Sequence, residues 1–290
     1  MAAPKRPKAL SHGRPPASRP KERMTSGRSR TIIRTHHTLH KQHAAAVKRG
    51  DTAAAADLAR AIEQNGGIKT YQAASKQGQS NDRGGDSSRV LVHWLQQSQV
   101  VDCRNPPRLI GVQGTLTCLE VGALSPTNQI SKLPGLVDMT RIDLNSQGLG
   151  IQKQDFMQRP LPATQTDCFD LISLSLVLNY VPDPVGRGEM LKRIINFFPT
   201  HATEPSRFTA VFPALFLVLP RPCVDNSRYL DEEMLQRILA NLGFVNIYTK
   251  RTSKLCYYLV KWTGTTTSER AEKKKVRDGS AMNNFCIIVN

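Results

Sequence analysis

Apolar and polar positions follow two regimes along the 290-residue chain. Beyond residue 115, short apolar runs alternate with stripes of helical period, and the runs read as strands. They fall at Thr115–Val121, Thr140–Leu144, about 151–156, and Asp170–Leu178. Pro184–Phe198 then carries Met190, Leu191, Ile194, Ile195 and Phe198 on one helical face. Ala210–Leu219 is a fifth strand, interrupted by Pro213 and stopped by Pro220, and Leu230–Leu242 is a helix ended by Gly243. Phe244–Lys250 and Leu255–Trp262 lie close enough in sequence to pair as a hairpin. The pattern predicts an α/β fold whose seven-stranded sheet has an antiparallel end.

Upstream the pattern changes. Asp51–Gln64 is an alanine-rich helix, with Asp51 or Thr52 as its cap and Asn65-Gly66-Gly67 as its stop. Residues 66–86 read mostly as loop. Ser87-Ser88 open a second helix with Val90, Leu91, Trp94 and Leu95 on one face, where Trp94 reads as core. Four segments result: a disordered basic arm at 1–34, a helical extension at 35–100, the α/β domain at 101–264, and a charged tail at 265–290. The tail is expected to be loose until Phe285–Val289.

Charge sharpens this division. Residues 1–50 hold thirteen Lys/Arg against one acid, Glu22, and so carry +12 of the formal +17. Residues 1–34 are too poor in apolar groups to offset the entropy of ordering. A basic arm on a mildly basic body suggests a polyanionic partner. Nucleic acid is favoured over membrane, since no apolar run approaches the roughly 20 residues of a span. Six cysteines lie far apart without a CxxC pair, which argues against a zinc ribbon or a redox motif. His36, His37, His40 and His43 have helical spacing but no nearby cysteine or carboxylate, so a basic accessory segment is preferred to a metal site. Pro4-Lys5-Arg6-Pro7-Lys8 and Lys273-Lys274-Lys275-Val276-Arg277 resemble nuclear-import clusters.

The chemistry gathers at strand ends. Glu120-x-Gly122 closes the first strand, and Asp143 closes the second, twenty-one residues past that glycine. A glycine admits a ligand to the backbone, and an acid on the next strand accepts hydrogen bonds from ribose hydroxyls. The second and third glycines of a dinucleotide fingerprint are missing. S-adenosylmethionine, which needs no pyrophosphate cradle, therefore fits better than NAD. Asp155-Phe156, at the end of the third strand, would meet the adenine. A strand-end Asp can also simply cap a helix or turn. After the fourth strand come Asn179 and Tyr180, placed to hold a base edge and to stack on an extruded base. Tyr180 could equally be a packing aromatic.

These blocks carry a family resemblance. Tyr71-Gln72, Gly84-Gly85-Asp86-Ser87-Ser88, Leu119-Glu120-Val121-Gly122-Ala123-Leu124, Arg141-Ile142-Asp143-Leu144-Asn145, Asp155-Phe156, Asn179-Tyr180-Val181-Pro182 and Arg187-Gly188-Glu189-Met190-Leu191 stand in order over roughly residues 60 to 262. Together they resemble the fungal nucleolar methyltransferases that modify adenine N1 in large-subunit ribosomal RNA, a family related to an animal S-adenosylmethionine sensor. The resemblance implies a Rossmann-like class I S-adenosylmethionine-dependent methyltransferase fold, with Gly122 and Asp143 binding that cofactor. It also implies ribosomal RNA or pre-ribosomal particles as partner, a nuclear and nucleolar location, and neither metal nor membrane. The alternative is a non-catalytic sensor acting through protein partners, for which the basic arm has no evident use.

Overall fold

The structure is a computed structural model, and it describes residues 24–78, 85–104, 107–110, 114–146, 148–199, 210–267 and 269–290. Its centre is a sheet whose middle strands are mostly apolar and largely buried. Strands β1 (Val101–Asp102) and β2 (Arg108–Leu109) form a separate antiparallel pair. The main sheet comprises β3 (Leu116–Val121), β4 (Val137–Asp143), β5 (Gln152–Lys153), β6 (Leu171–Ser175), β7 (Ala214–Pro220), β8 (Phe244–Arg251) and β9 (Leu255–Trp262), in the order β5-β4-β3-β6-β7-β9-β8. Pairs from β5 to β7 are parallel, whereas β9 runs antiparallel to both β7 and β8. Residues 171–174 of β6 and 214–219 of β7 are buried, as expected of parallel strands covered on both faces.

Helices cover the two faces. On one side, α5 (Pro184–Ile195) and Phe197–Phe198 pack with a later helix at Glu232–Asn241 and with Phe285, Ile287 and Val289. On the other, α4 (Ser88–Gln97) places Leu91, Trp94 and Leu95 against Phe216, Val218 and Leu259. The starts of these helices are set by sequence. Asp183 caps α5 by accepting from Gly186 N at 2.8 Å, and Pro184 supplies the first helical residue without losing a needed donor. Asp231 caps the later helix through Met234 N at 2.8 Å.

Several sequence expectations need correction. The arm expected to lack order through residue 34 is helical from Ser26, where α1 (Ser26–Lys48) begins under a Thr25 cap. Residues 1–23, including the Pro4–Lys8 cluster, lie outside the described residues. Within 66–86, expected to be mostly loop, Gly67–Gly78 is instead helix α3, directly after α2 (Thr52–Gln64). Its terminal glycines and modest apolar content hide it, and packing of Gln72 and Ala74 holds it. The third strand is only two residues long, and Asp155 lies beyond it. The tail is not loose before Phe285. Arg277 donates to the carbonyls of Asp225 and Leu230, and Ala271 pairs with Val289.

Candidate cofactor and base site

The strand order reverses between β3 and β6, so their carboxyl ends open on the crevice where such sheets bind ligands. Gly122 leaves β3 there with φ +73, and its N–H donates to Ile142 O at 2.8 Å. A Cβ at this position would stand 2.4 Å from Val177 Cγ2. Only glycine therefore leaves the backbone free to turn here and remain open to a ligand. Glu120, Gly122, Asn128, Asp86, Ser87 and Ser175 line one pocket.

Glu120 is already partnered by neighbouring side chains. Its carboxylate accepts from Asn128 Nδ2 at 2.8 and 3.0 Å and lies 3.8 Å from Arg141 Nε. Burial nevertheless pushes its pKa up to about 7 against those partners. Asp143 ends β4, directly beside Gly122. Its Oδ1 accepts from Asn145 N at 2.9 Å and from Gln72 Nε2 at 3.3 Å, and Gln72 also donates to Asn145 O at 2.9 Å. Desolvation raises the Asp143 pKa, an effect that its hydrogen bond from Asn145 and Lys76 oppose.

The other two cofactor candidates are used differently from one another. Asp155 caps a short 3-10 turn, accepting from Met157 N at 2.8 Å. Phe156 is 3% exposed, and its ring centroid lies 5.3 Å from that of Phe197. That ring is core, so only its main chain is left for a ligand. Gln154 N donates to Asp143 O at 3.0 Å, which keeps this segment beside the Asp143 strand tip.

Asn179 and Tyr180 come after β6, beyond Leu176, which takes φ +58, and a turn in which Tyr180 N donates to Val177 O at 2.8 Å. Asn179 Oδ1 and the Tyr180 hydroxyl are buried without a hydrogen-bond partner among the described residues. Buried polar atoms left this way carry a desolvation cost that a ligand can remove. Aromatic rings of the N-terminal helices cover Tyr180. Its ring centroid is 4.0 Å from that of His37 on α1 and 4.9 Å from that of Tyr71 on α3. His36 stacks on Tyr71 at 4.7 Å. Burial, with Coulombic repulsion from neighbouring cations, lowers His36 and His37 to about 4, so both rings are neutral at physiological pH. Among the described residues no group of histidine, cysteine or acidic side chains could hold a metal ion, and no helix is long and apolar enough to cross a membrane.

Of the strand-tip residues singled out by the sequence, Glu120 and Gly122 line one pocket, and Asp143 ends the strand paired beside Gly122. The residues around it were not among the site candidates, although their blocks carried the family resemblance. Tyr71 and Gln72 are neighbours on α3, one touching Tyr180 and the other Asp143, so this helix links the two halves of the site. Asp86 and Ser87 enter from the start of α4, where Ser87 Oγ lies 2.8 Å from Ser175 Oγ and Asp86 accepts from Ser88 N at 2.8 Å. The blocks Tyr71-Gln72 and Gly85–Ser88 were the available signal. The residues present fit S-adenosylmethionine: a glycine without room for a side chain stands beside a carboxylate that could accept from ribose hydroxyls.

The strand order is that of the Rossmann-like class I methyltransferase fold. The family described as "25S rRNA (adenine(2142)-N(1))-methyltransferase, Bmt2" matches residues 56–287, and the chain belongs to that family. It is 38% identical over 228 residues to the 25S rRNA (adenine(2142)-N(1))-methyltransferase of Saccharomyces cerevisiae, spanning 78% of this chain and 61% of that protein. It is 35% identical over 265 residues to the 25S rRNA adenine-N(1) methyltransferase of Schizosaccharomyces pombe, spanning 88% of this chain and 89% of that one. Among solved structures, the 16S rRNA methylase RmtB aligns at 12% identity with a TM-score of 0.43, covering 83% of this chain and 99% of that one. The fold assignment rests on strand order and family membership, not on that similarity.

Proposed function

We infer that this chain is an S-adenosylmethionine-dependent methyltransferase acting on N1 of an adenine in large-subunit ribosomal RNA. Membership of the family carries the reading, since both named relatives are adenine-N1 methyltransferases of 25S rRNA. Gly122 and Asp143, on adjacent strand tips, support it. Nothing observed favours the sensor alternative.

Bound in the crevice, the cofactor supplies an electrophilic methyl group on a sulfonium. Asp143 would accept from the ribose hydroxyls, Gly122 would pass beneath the methionine portion, and the Asp155–Phe156 segment would meet the adenine. An unpaired adenine has a free lone pair at N1, so the protein need not remove a proton before attack. Its task is to extrude the base, align N1 with the methyl group and exclude water. Asn179 Oδ1 can accept from the exocyclic amine beside N1, and the Tyr180 ring, packed on His37 and Tyr71, borders the same place.

The reading extends to RNA binding, to pre-ribosomal particles as partner and to the nucleus and nucleolus as location. Exposed Arg28, Arg30, Arg34, Lys41, Lys48 and Arg49 on and just after α1, with the arm before it, offer phosphate contacts. The import-like clusters support the location. The test is to map N1-methyladenosine in large-subunit ribosomal RNA of cells with and without the chain. A mark lost on deletion, and restored by the wild type but not by Gly122→Arg, is the expected result. A mark unchanged by deletion contradicts the reading.

A further inference from the structure

The loop carrying Asn179 and Tyr180 is held from behind by one side chain. Arg187, in the first turn of α5, is 6% exposed. Its Nε donates to Val181 O at 2.9 Å, and one terminal nitrogen donates to Pro182 O at 3.3 Å. The other terminal nitrogen donates to Cys286 O at 2.6 Å. The guanidinium carbon also lies 4.3 Å from the centroid of the Phe285 ring. One planar fork thus ties two successive carbonyls of the loop to the C-terminal segment.

That segment is itself fixed. Ile288 N donates to Pro184 O at 3.0 Å, and Ser227 Oγ donates to Phe285 O. A Cβ at position 188 would stand 1.9 Å from Ile288 O, so glycine at 188 is what lets the segment lie against α5. Leu178 is buried in the core, and the Tyr180 ring packs on His37 and Tyr71. The polar ends that would face a base do not hold the loop, because Asn179 Oδ1 and the Tyr180 hydroxyl have no hydrogen-bond partner among the described residues. A buried arginine without a carboxylate at hydrogen-bond distance is costly to keep, and carbonyls plus an aromatic face share its charge here. Lysine could not reproduce this, since an ammonium lacks the flat fork that reaches three carbonyls at once.

We propose that Arg187 and residues 285–289 act as a splint that positions Asn179 and Tyr180 for the target base. The proposal rests on the reading that this loop receives the adenine. Arg187 is a positioning residue, since it touches neither ligand. Its effect is felt as alignment, where a displacement of about 1 Å can cost on the order of a hundredfold in rate. Because the splint lies behind the loop and not at Gly122 or Asp143, it should leave cofactor affinity alone.

The test uses the full-length protein with Arg187→Gln, Arg187→Lys, Phe285→Ala and a truncation after Asn284. Calorimetry gives S-adenosylmethionine affinity, and single-turnover methylation at saturating RNA gives the rate. The expected result is a rate loss of about a hundredfold for Arg187→Gln and for the truncation, with cofactor affinity within about twofold. Arg187→Lys should rescue little, and Arg187→Gln combined with the truncation should lose no more than either alone. Phe285→Ala, which keeps the guanidinium, provides a milder variant if the others fail to fold, and should lose about tenfold in rate. Wild-type rates in folded variants, or cofactor affinity falling in step with rate, would overturn the splint. Asn179→Ala separates the premise from the proposal. A full rate in that variant removes the reading on which the splint rests. A loss there with a full rate in Arg187→Gln removes the splint alone.

Discussion

Gln72 Nε2 donates to Asp143 Oδ1 at 3.3 Å, joining a helix of the N-terminal extension to the carboxylate at the tip of β4. The same amide group donates to Asn145 O at 2.9 Å, so Gln72 fixes both the acid and the turn just beyond it. Asp143→Ala should therefore weaken S-adenosylmethionine binding by at least about a hundredfold, and Gln72→Ala by about tenfold. The two losses should not add, because Gln72 acts through Asp143. Calorimetry on both single variants and the double variant decides this, and strict additivity would separate the two residues.

Gly122→Ala should damage the fold and the site together. The added methyl meets Val177 Cγ2 at 2.4 Å, and φ +73 is strained for any side chain. Overpacking of this kind costs roughly 1–3 kcal/mol. Trimming the neighbour with Val177→Ala should restore part of the melting temperature but not all of it, since the backbone strain remains. Thermal unfolding of the single and double variants measures the two contributions.

Glu120 predicts one arm of the pH dependence. Its folded pKa, raised to about 7, means that the folded protein binds more protons than the unfolded chain between the ordinary carboxylate value and 7. Its contribution to stability is therefore present in mild acid and is lost as pH rises through about 7. Glu120→Gln should remove this decline, and denaturant titrations between pH 5 and 8 compare the two proteins.

His36 and His37 predict the opposite arm. Both are lowered to about 4, by burial first and then by neighbours that include His40 and, for His37, Arg187. The unfolded chain holds more protons on them between about 4 and 6.5, so they destabilise the fold as pH falls through that window. Protonation places charge on rings buried against Tyr71 and Tyr180, where desolvation opposes it. Hydrogen exchange of α1 amides, corrected for intrinsic rates, should accelerate on acidification before that of β6 or β7. Uniform acceleration across the chain would show that α1 does not loosen separately.

RNA affinity should fall steeply with salt, and removing residues 1–23 should flatten the slope, because seven of the Lys/Arg lie there. Binding titrations over about 50–200 mM salt measure both slopes. A salt-independent affinity would contradict a phosphate tether.

The sheet was legible because its strands have no choice. Leu171–Leu174 and Ala214–Leu219 are mostly apolar and buried on both faces, and Pro220 and Gly243 punctuate the chain where elements end. Gly122 and Asp143 were legible for a related reason, since residues at the tips of adjacent parallel strands must share one edge of the sheet. Helix α3 was not, because Gly67 and Gly78 at its ends argue locally for a loop and its order comes from packing. Phe156 shows the same limit from the other side. Its place in the sequence says strand end, but its ring turns into the core against Phe197. The role of Arg187 was equally hidden, because its partner Cys286 lies ninety-nine residues away, beyond a charged segment expected to be loose.

The most direct test incubates the purified chain with methyl-labelled S-adenosylmethionine and protein-free large-subunit ribosomal RNA, then digests the RNA to nucleosides. Label recovered as N1-methyladenosine with the wild type, and none with Asp143→Ala, is the predicted result. Label at another position, or equal label with Asp143→Ala, would contradict a crevice in which that carboxylate holds the methyl donor.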